Sequence, residues 1–165
     1  MIATFSPDRV YRYTLWRNWA GLWNVAGIPQ RYVNFICLNP STADEIQDDN
    51  TIRKCVKFAK TWGFGAMCVT NLFAYRSTDP KAMMLVDEPI GSENDYYLEN
   101  IAVNADLVIA AWSQHGNHRN RATEVKANLA GVDMCYLRMG KGKDPQPWHP
   151  LYLPDVTKPV QWHTN

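Results

Sequence analysis

No stretch of this sequence approaches the roughly 18 consecutive apolar residues that a membrane span requires. The start, Met1-Ile2-Ala3-Thr4-Phe5-Ser6-Pro7-Asp8, lacks the basic residues and apolar centre of a secretory signal. The expected location is therefore the cytoplasm, with no membrane partner. The four cysteines (Cys37, Cys55, Cys68 and Cys135) are widely spread and contain no C-x-x-C pair. Each sits in an apolar stretch, which fits buried free thiols in a reducing compartment. His115 and His118 lack a third ligand at any recognised metal spacing, so no metal is expected, nor any cofactor. A net charge of only +1 excludes broad electrostatic capture of nucleic acid, though not a local basic patch. Gly140-Lys141-Gly142-Lys143 is not a Walker loop, because Pro145 and Pro147 forbid the helix that should follow. No G-x-S-x-G elbow is present.

What remains is an ordinary globular composition, 46% hydrophobic and 20% charged. A chain of 165 residues suits a single domain, spanning 1–165, that buries roughly 70% of its unfolded surface. Val10 to Arg17 alternates and is rich in aromatic and β-branched residues, so it reads as a strand. Tyr32 to Leu38 is nearly continuous in apolar residues and stops at Asn39-Pro40, as a strand covered on both faces does. Asp49-Asn50-Thr51 offers a helix start, followed by Ile52, Cys55, Val56 and Ala59 at helical spacing. Ala66 to Thr70, Leu107 to Ala111 and Met134 to Leu137 are three further strands. A helix capped by Ser92, with Tyr97, Leu98, Ile101, Ala102 and Ala105 on one face, precedes the second of these. Another, from about His118 to Ala130, precedes the third.

Strands alternating with helices imply crossover connections. The expected fold is a three-layer αβα sandwich, with about four mostly parallel core strands and an N-terminal antiparallel edge strand. Ligands of such sheets bind where the strand order reverses, beyond the carboxyl ends of the strands. The exits there are Asn39-Pro40-Ser41, Asn71-Leu72-Phe73, Trp112-Ser113-Gln114-His115 and the loop carrying His149. Asn39 can hold a water through its donor and its acceptor, or Asn-Pro can be turn chemistry alone. Asn71 can read a planar ring by paired hydrogen bonds, or simply cap a strand end. His149, between Trp148 and Pro150, can donate to a developing anion or act as acid or base. Asp44, Asp48 and Asp49 surround the first helix start; one can be a general base, although acidic residues there also suit the cap and dipole. Lys141 and Lys143, like Arg119 and Arg121, can meet a phosphate, or can be solvated charge.

Several ordered segments carry a family resemblance. These are Arg12-Tyr13-x-Leu15-x-Arg17-x-Trp19, Leu38-Asn39-Pro40-Ser41-x-Ala43-Asp44, Asp48-Asp49-x-Thr51-x-Arg53-x-Cys55 and Trp62-Gly63-Phe64-Gly65. They continue with Thr70-Asn71-Leu72-Phe73-Ala74-x-Arg76-x-Thr78-x-Pro80, Gly91-x-x-Asn94-Asp95, Ala111-Trp112 and His149-Pro150-Leu151-Tyr152. Through them the chain resembles a family of short bacterial and phage proteins described as a domain of unknown function (number 1643). More distantly it resembles the uracil-DNA glycosylase superfamily, which implies the same αβα fold. That likeness implies that Asn39-Pro40 positions an attacking water, Asn71 reads the base edge and His149-Pro150 supports the leaving base. It departs at Leu151-Tyr152, where that superfamily has Ser-Pro.

The expected function is thus an enzyme that recognises a nucleobase or nucleotide and hydrolyses an N-glycosidic bond, on a free nucleotide or in DNA. Asn39, His149 and Asp44 are its candidate catalytic residues. Asn71, Phe73, Ser41, Arg76, Trp112, Lys141 and Lys143 are its candidate substrate contacts, Phe73 and Trp112 as stacking rings. The alternatives are a non-catalytic nucleotide or signalling-ligand binder, and a phage or host interaction module using Trp16, Trp19 and Trp23.

Overall fold

Alternate residues of the central strands enter two different cores, and this divides the molecule into layers. The computed structural model describes residues 2–23, 27 and 29–163; Met1, Asn24, Val25, Ala26, Ile28, Thr164 and Asn165 lie outside that description, as does part of the Trp- and Gly-containing stretch before Pro29. Phe35 packs with Ile52, Cys55, Phe58 and Ala59 of one helix on one side of the sheet. Its neighbour Ile36 packs on the other side with Leu98, Ala102, Ala122 and Val125 of two other helices. Two-sided burial explains why these strands read as apolar runs and not as alternating ones.

The strands are β1 (Ile2–Phe5), β2 (Arg12–Asn18), β3 (Val33–Cys37), β4 (Ala66–Asn71), β5 (Leu107–Ala110), β6 (Met134–Tyr136) and β7 (Val160–Gln161). They form one seven-stranded sheet in the order β1-β2-β4-β3-β5-β6-β7. The pairs β3/β4, β3/β5 and β5/β6 are parallel. The pairs β1/β2, β2/β4 and β6/β7 are antiparallel. The sheet is therefore mixed, with four parallel strands at its centre, and it corrects the mostly parallel sheet with one antiparallel edge. The strand expected at the N-terminal edge, β2, is interior because β1 covers it. At four and two residues, β1 and β7 are too short to display a period.

The helices are α1 (Asn50–Thr61), α2 (Pro80–Leu85), α3 (Asn94–Val103) and α4 (Arg121–Asn128). Asp49 caps α1 by accepting the Ile52 N–H at 2.9 Å. Helix α3 begins at Asn94, with Glu93 as its uncapped boundary in place of the expected Ser92. Helix α4 begins three residues later than expected, because Arg119 and Asn120 take left-handed backbone (φ 52° and 56°) that no α-helix continues through. Two short 3-10 turns, parted by a kink at His118 and Arg119, occupy the intervening chain over Gln114–Asn120.

The tail is tied to α1. Asp155 accepts from Lys54 at 2.6 Å and from Lys57, and Trp62 donates Nε1 to the Thr157 carbonyl at 3.2 Å. This anchorage holds the turn Pro150–Tyr152, and His149 before it, over the start of α1. Trp16 is buried, and Trp19 packs against the α1 core with its Nε1 on the Phe64 carbonyl, so these two serve the interior. All four cysteines are free. Among the described residues, no helix is long and apolar enough to cross a membrane.

Candidate functional site

Strand β3 has β4 on one side and β5 on the other, so the crossover leaving β3 through α1 and the one leaving β5 through α4 diverge at the carboxyl edge. A crevice forms at such a point because the two connections turn to opposite faces. Here it is a cleft of about 500 Å³, within the range of small-ligand sites. Asn39, Ser41, Asn71 and His149 all line it.

Asn71 is the last residue of β4 and is 1% exposed. Its main-chain carbonyl accepts the Asn94 amide at 2.9 Å, yet neither its own Nδ2 nor its Oδ1 has a partner among the described residues. A buried amide left unpaired costs about 1–3 kcal/mol. Asn39 differs. Its Nδ2 donates to the carbonyls of Ser77 (2.9 Å) and Pro40 (3.1 Å), which fixes the carboxamide and leaves Oδ1 as an acceptor. The expected use of both its donor and its acceptor on a water is thereby reduced to the acceptor.

His149 is half-buried, and its Nδ1 accepts the Leu151 N–H at 3.3 Å. The imidazole proton therefore sits on Nε2 in the neutral ring. Burial holds its pKa below the ordinary value, against the opposing pull of Asp49. Asp49 is the carboxylate of the cleft, where it takes the Ser41 hydroxyl as well as the Ile52 amide. Asp44 lies outside the cleft, and the general base expected there is not brought to it. Its Oδ1 accepts the amides of Gln47 and Ile46, both at 2.8 Å, and these bonds lower its pKa.

The other expected contacts are not assembled with these. Phe73 and Trp112 are fully buried. Phe73 lies beside His118, and Trp112 donates Nε1 to Gln146 at 2.8 Å. Both lie at strand exits but turn into the core, which is where large rings gain most from burial. Arg76 extends over the Phe5 ring and donates to the Arg9 carbonyl at 3.2 Å. Lys141 and Lys143 are exposed and line no part of the cleft. Arg119 is spent on the carbonyls of Asp87 and Val86, and buried Arg121 on Asp95 and Glu124.

Three notable cleft residues are not among the candidates singled out from the sequence. Tyr152 lines the mouth and is 77% exposed, the aromatic ring best placed to cover a planar ligand; its signal lay in the His149-Pro150-Leu151-Tyr152 segment. Ser113, just past β5, has φ 65° and ψ −178°, a region that is essentially glycine-only and costs about 1–3 kcal/mol. Strain of this kind clusters at functional sites, and nothing in the local sequence announces it. Arg12, at the start of β2, is 2% exposed and also lines the cleft. It arrives on a strand that runs antiparallel to β4, so a survey confined to the exits of parallel strands passes over it.

No curated protein and no solved structure matches the chain at a significant level. A family model described as "Protein of unknown function (DUF1643)" matches residues 12–151, a span that runs from Arg12 through Leu151 and takes in every cleft-lining residue except Tyr152, and the chain belongs to that family.

Proposed function

We propose that the cleft recognises a nucleobase or nucleotide and that the protein hydrolyses its N-glycosidic bond, as the base glycosylases it distantly resembles do. The observation that carries this reading is Asn71: a buried carboxamide, both ends unpaired among the described residues, at the edge of a ligand-sized crevice. One donor and one acceptor in a plane are what the edge of a base pairs with. The reading also draws on the strand order β4-β3-β5-β6, in which ligands bind at the reversal.

In the proposed reaction the Oδ1 of Asn39 holds a water against the sugar carbon. As the water oxygen bonds to that carbon, the carbon–nitrogen bond breaks and its electron pair goes to the departing ring. The Nε2–H of His149 donates to that ring and stabilises its charge. Asp49, in place of Asp44, receives the proton of the water. Tyr152 covers the base. A second reading, a non-catalytic nucleotide binder, is favoured by one feature: both oxygens of Asp49 are already engaged, by Ser41 and by the α1 cap.

The test is mass spectrometry of products after incubation with nucleosides, nucleotides and oligonucleotides, beside thermal shift with the same panel. Release of free base is expected, with Asn39→Ala at least about tenfold slower. Asn71→Leu is expected to abolish binding while leaving the melting temperature unchanged or raised, since no hydrogen bond is lost. Binding without free base would transfer the case to the binder. Neither binding nor product across the panel would reject both.

A further inference from the structure

Three arginines of this protein are almost wholly buried: Arg12, Arg17 and Arg121, at 2%, 4% and 0% exposed. Two of them carry their counter-charge with them. Arg17 pairs with Asp48 at 2.6 Å, and Arg121 pairs with Asp95 and Glu124. Arg12 forms no salt bridge among the described residues. Its Nη1 donates to the Ala43 carbonyl, its Nε has no partner, and its Nη2 makes no hydrogen bond among the described residues. The Nε and Nη2 hydrogens point the same way and form the fork that grips an oxyanion with two parallel bonds. That edge is the one left empty-handed.

The backbone shows that Arg12 is directed to the cleft. Thr4 of β1 pairs with Thr14 of β2, but the next residue, Phe5, pairs with Arg12. One extra residue, Tyr13, is thus inserted in β2, and a bulge of this kind reverses the alternation beyond it. Without it, Arg12 would face away from Leu15, toward α3. With it, Tyr13 turns to α3 and stacks on Tyr97 at 5.2 Å. Arg12 instead joins the face of Leu15 and lines the cleft beside Cys37, Ile52 and Val69. Burial pulls its pKa down to about 10, against the attraction of Asp49. It still stays cationic at neutral pH. With Asp49 near but not bonded to it, this buried guanidinium still lacks the direct partner that offsets the cost of burial.

We infer that Arg12 is an anion seat and that, on the nucleotide reading of this cleft, its ligand is a phosphate monoester: a nucleoside monophosphate, not a free base or nucleoside. Arg12 takes the phosphate through its Nε/Nη2 fork while Asn71 takes the base. A volume of about 500 Å³ suits a mononucleotide.

Calorimetry on the full chain tests this with four probes: nucleosides, their 5′-monophosphates, inorganic phosphate and a short single-stranded oligonucleotide. The monophosphates are expected to bind wild-type protein about tenfold or more tighter than the parent nucleosides. Arg12→Gln should erase that preference, and Arg12→Lys, which keeps the charge but loses the fork, should restore it only in part. Equal binding of nucleoside and monophosphate to wild type overturns the proposal, and this comparison needs no variant to fold. Binding by the oligonucleotide alone, dependent on Arg12, overturns the monoester. If no nucleoside or nucleotide binds but inorganic phosphate does, and Arg12→Gln loses it, the anion seat stands and the nucleotide reading falls.

Discussion

Ser113 holds a backbone conformation that its side chain resists, and it does so at the cleft. The strain is maintained by hydrogen bonds on both sides, from its own N–H to the Pro147 carbonyl at 2.8 Å and from the Gly116 N–H to its carbonyl at 3.0 Å. Ser113→Gly removes the steric cost, less the extra chain entropy that glycine brings to the unfolded state. The expected net gain is about 1 kcal/mol, seen as a rise of about 2–4 °C in melting temperature. A fall would mean that the hydroxyl itself stabilises the loop. Asn71 and Arg12 follow the same logic: each has buried polar atoms, the Asn71 carboxamide and the Arg12 Nε, with no partner among the described residues. With the strained Ser113, these two unpartnered groups place three local costs on one cleft.

Elements set where these residues can point. The β2 bulge and the Asp49 cap of α1 bring Arg12 and the cleft carboxylate to one crevice. On the far side, the 3-10 stretch after β5 closes against Trp112, and its fit depends on Gly116. A Cβ at Gly116 would stand 2.1 Å from Cδ1 and 2.6 Å from Nε1 of the Trp112 indole. That ring cannot retreat easily, being fully buried, bonded to Gln146 and packed near Trp162 at 5.8 Å. Gly116→Ala is therefore expected to cost about 1–3 kcal/mol in urea unfolding, the usual range for an overpacked interior. An unaltered midpoint would show that the loop can slide away from the indole.

The whole molecule registers its half-buried histidines through pH. His149 and His118 both have pKa values held below the ordinary 6.5, in each case chiefly by burial. The unfolded chain therefore binds protons that the folded one refuses, and stability rises with pH across that interval. Their contribution is complete above about pH 6.5 and declines as pH falls toward the depressed folded values. The lowered carboxylates, Asp8, Asp44, Glu45 and Asp155, act separately, in the range below about pH 4. Melting temperature followed between about pH 5 and pH 8 should drop toward the acid end, and His149→Gln should flatten part of the drop. An identical profile in the variant would place the pH response on other groups.

Much of the frame could be read from neighbours along the chain. The runs at 33–37, 66–71 and 107–110 are strands because they are apolar, short and bounded by polar exits. Helix α1 starts after Asp49 because that side chain supplies the acceptor its first amides need. These outcomes depend on residues within a turn or two of each other, which is why periodicity reveals them. They also place Asn39 and Asn71 at one edge of the sheet; His149 joins them only through the anchorage of the tail to α1. Folding alone decided which of three nearby aspartates faces the cleft, that Phe73 and Trp112 turn inward, and that Arg12 turns toward the cleft. Each of those depends on pairing between segments far apart in sequence: β1 against β2, the tail against α1, β5 against the loop of Gln146. A one-residue slip in such pairing moves a side chain to the opposite face, and no local pattern records it.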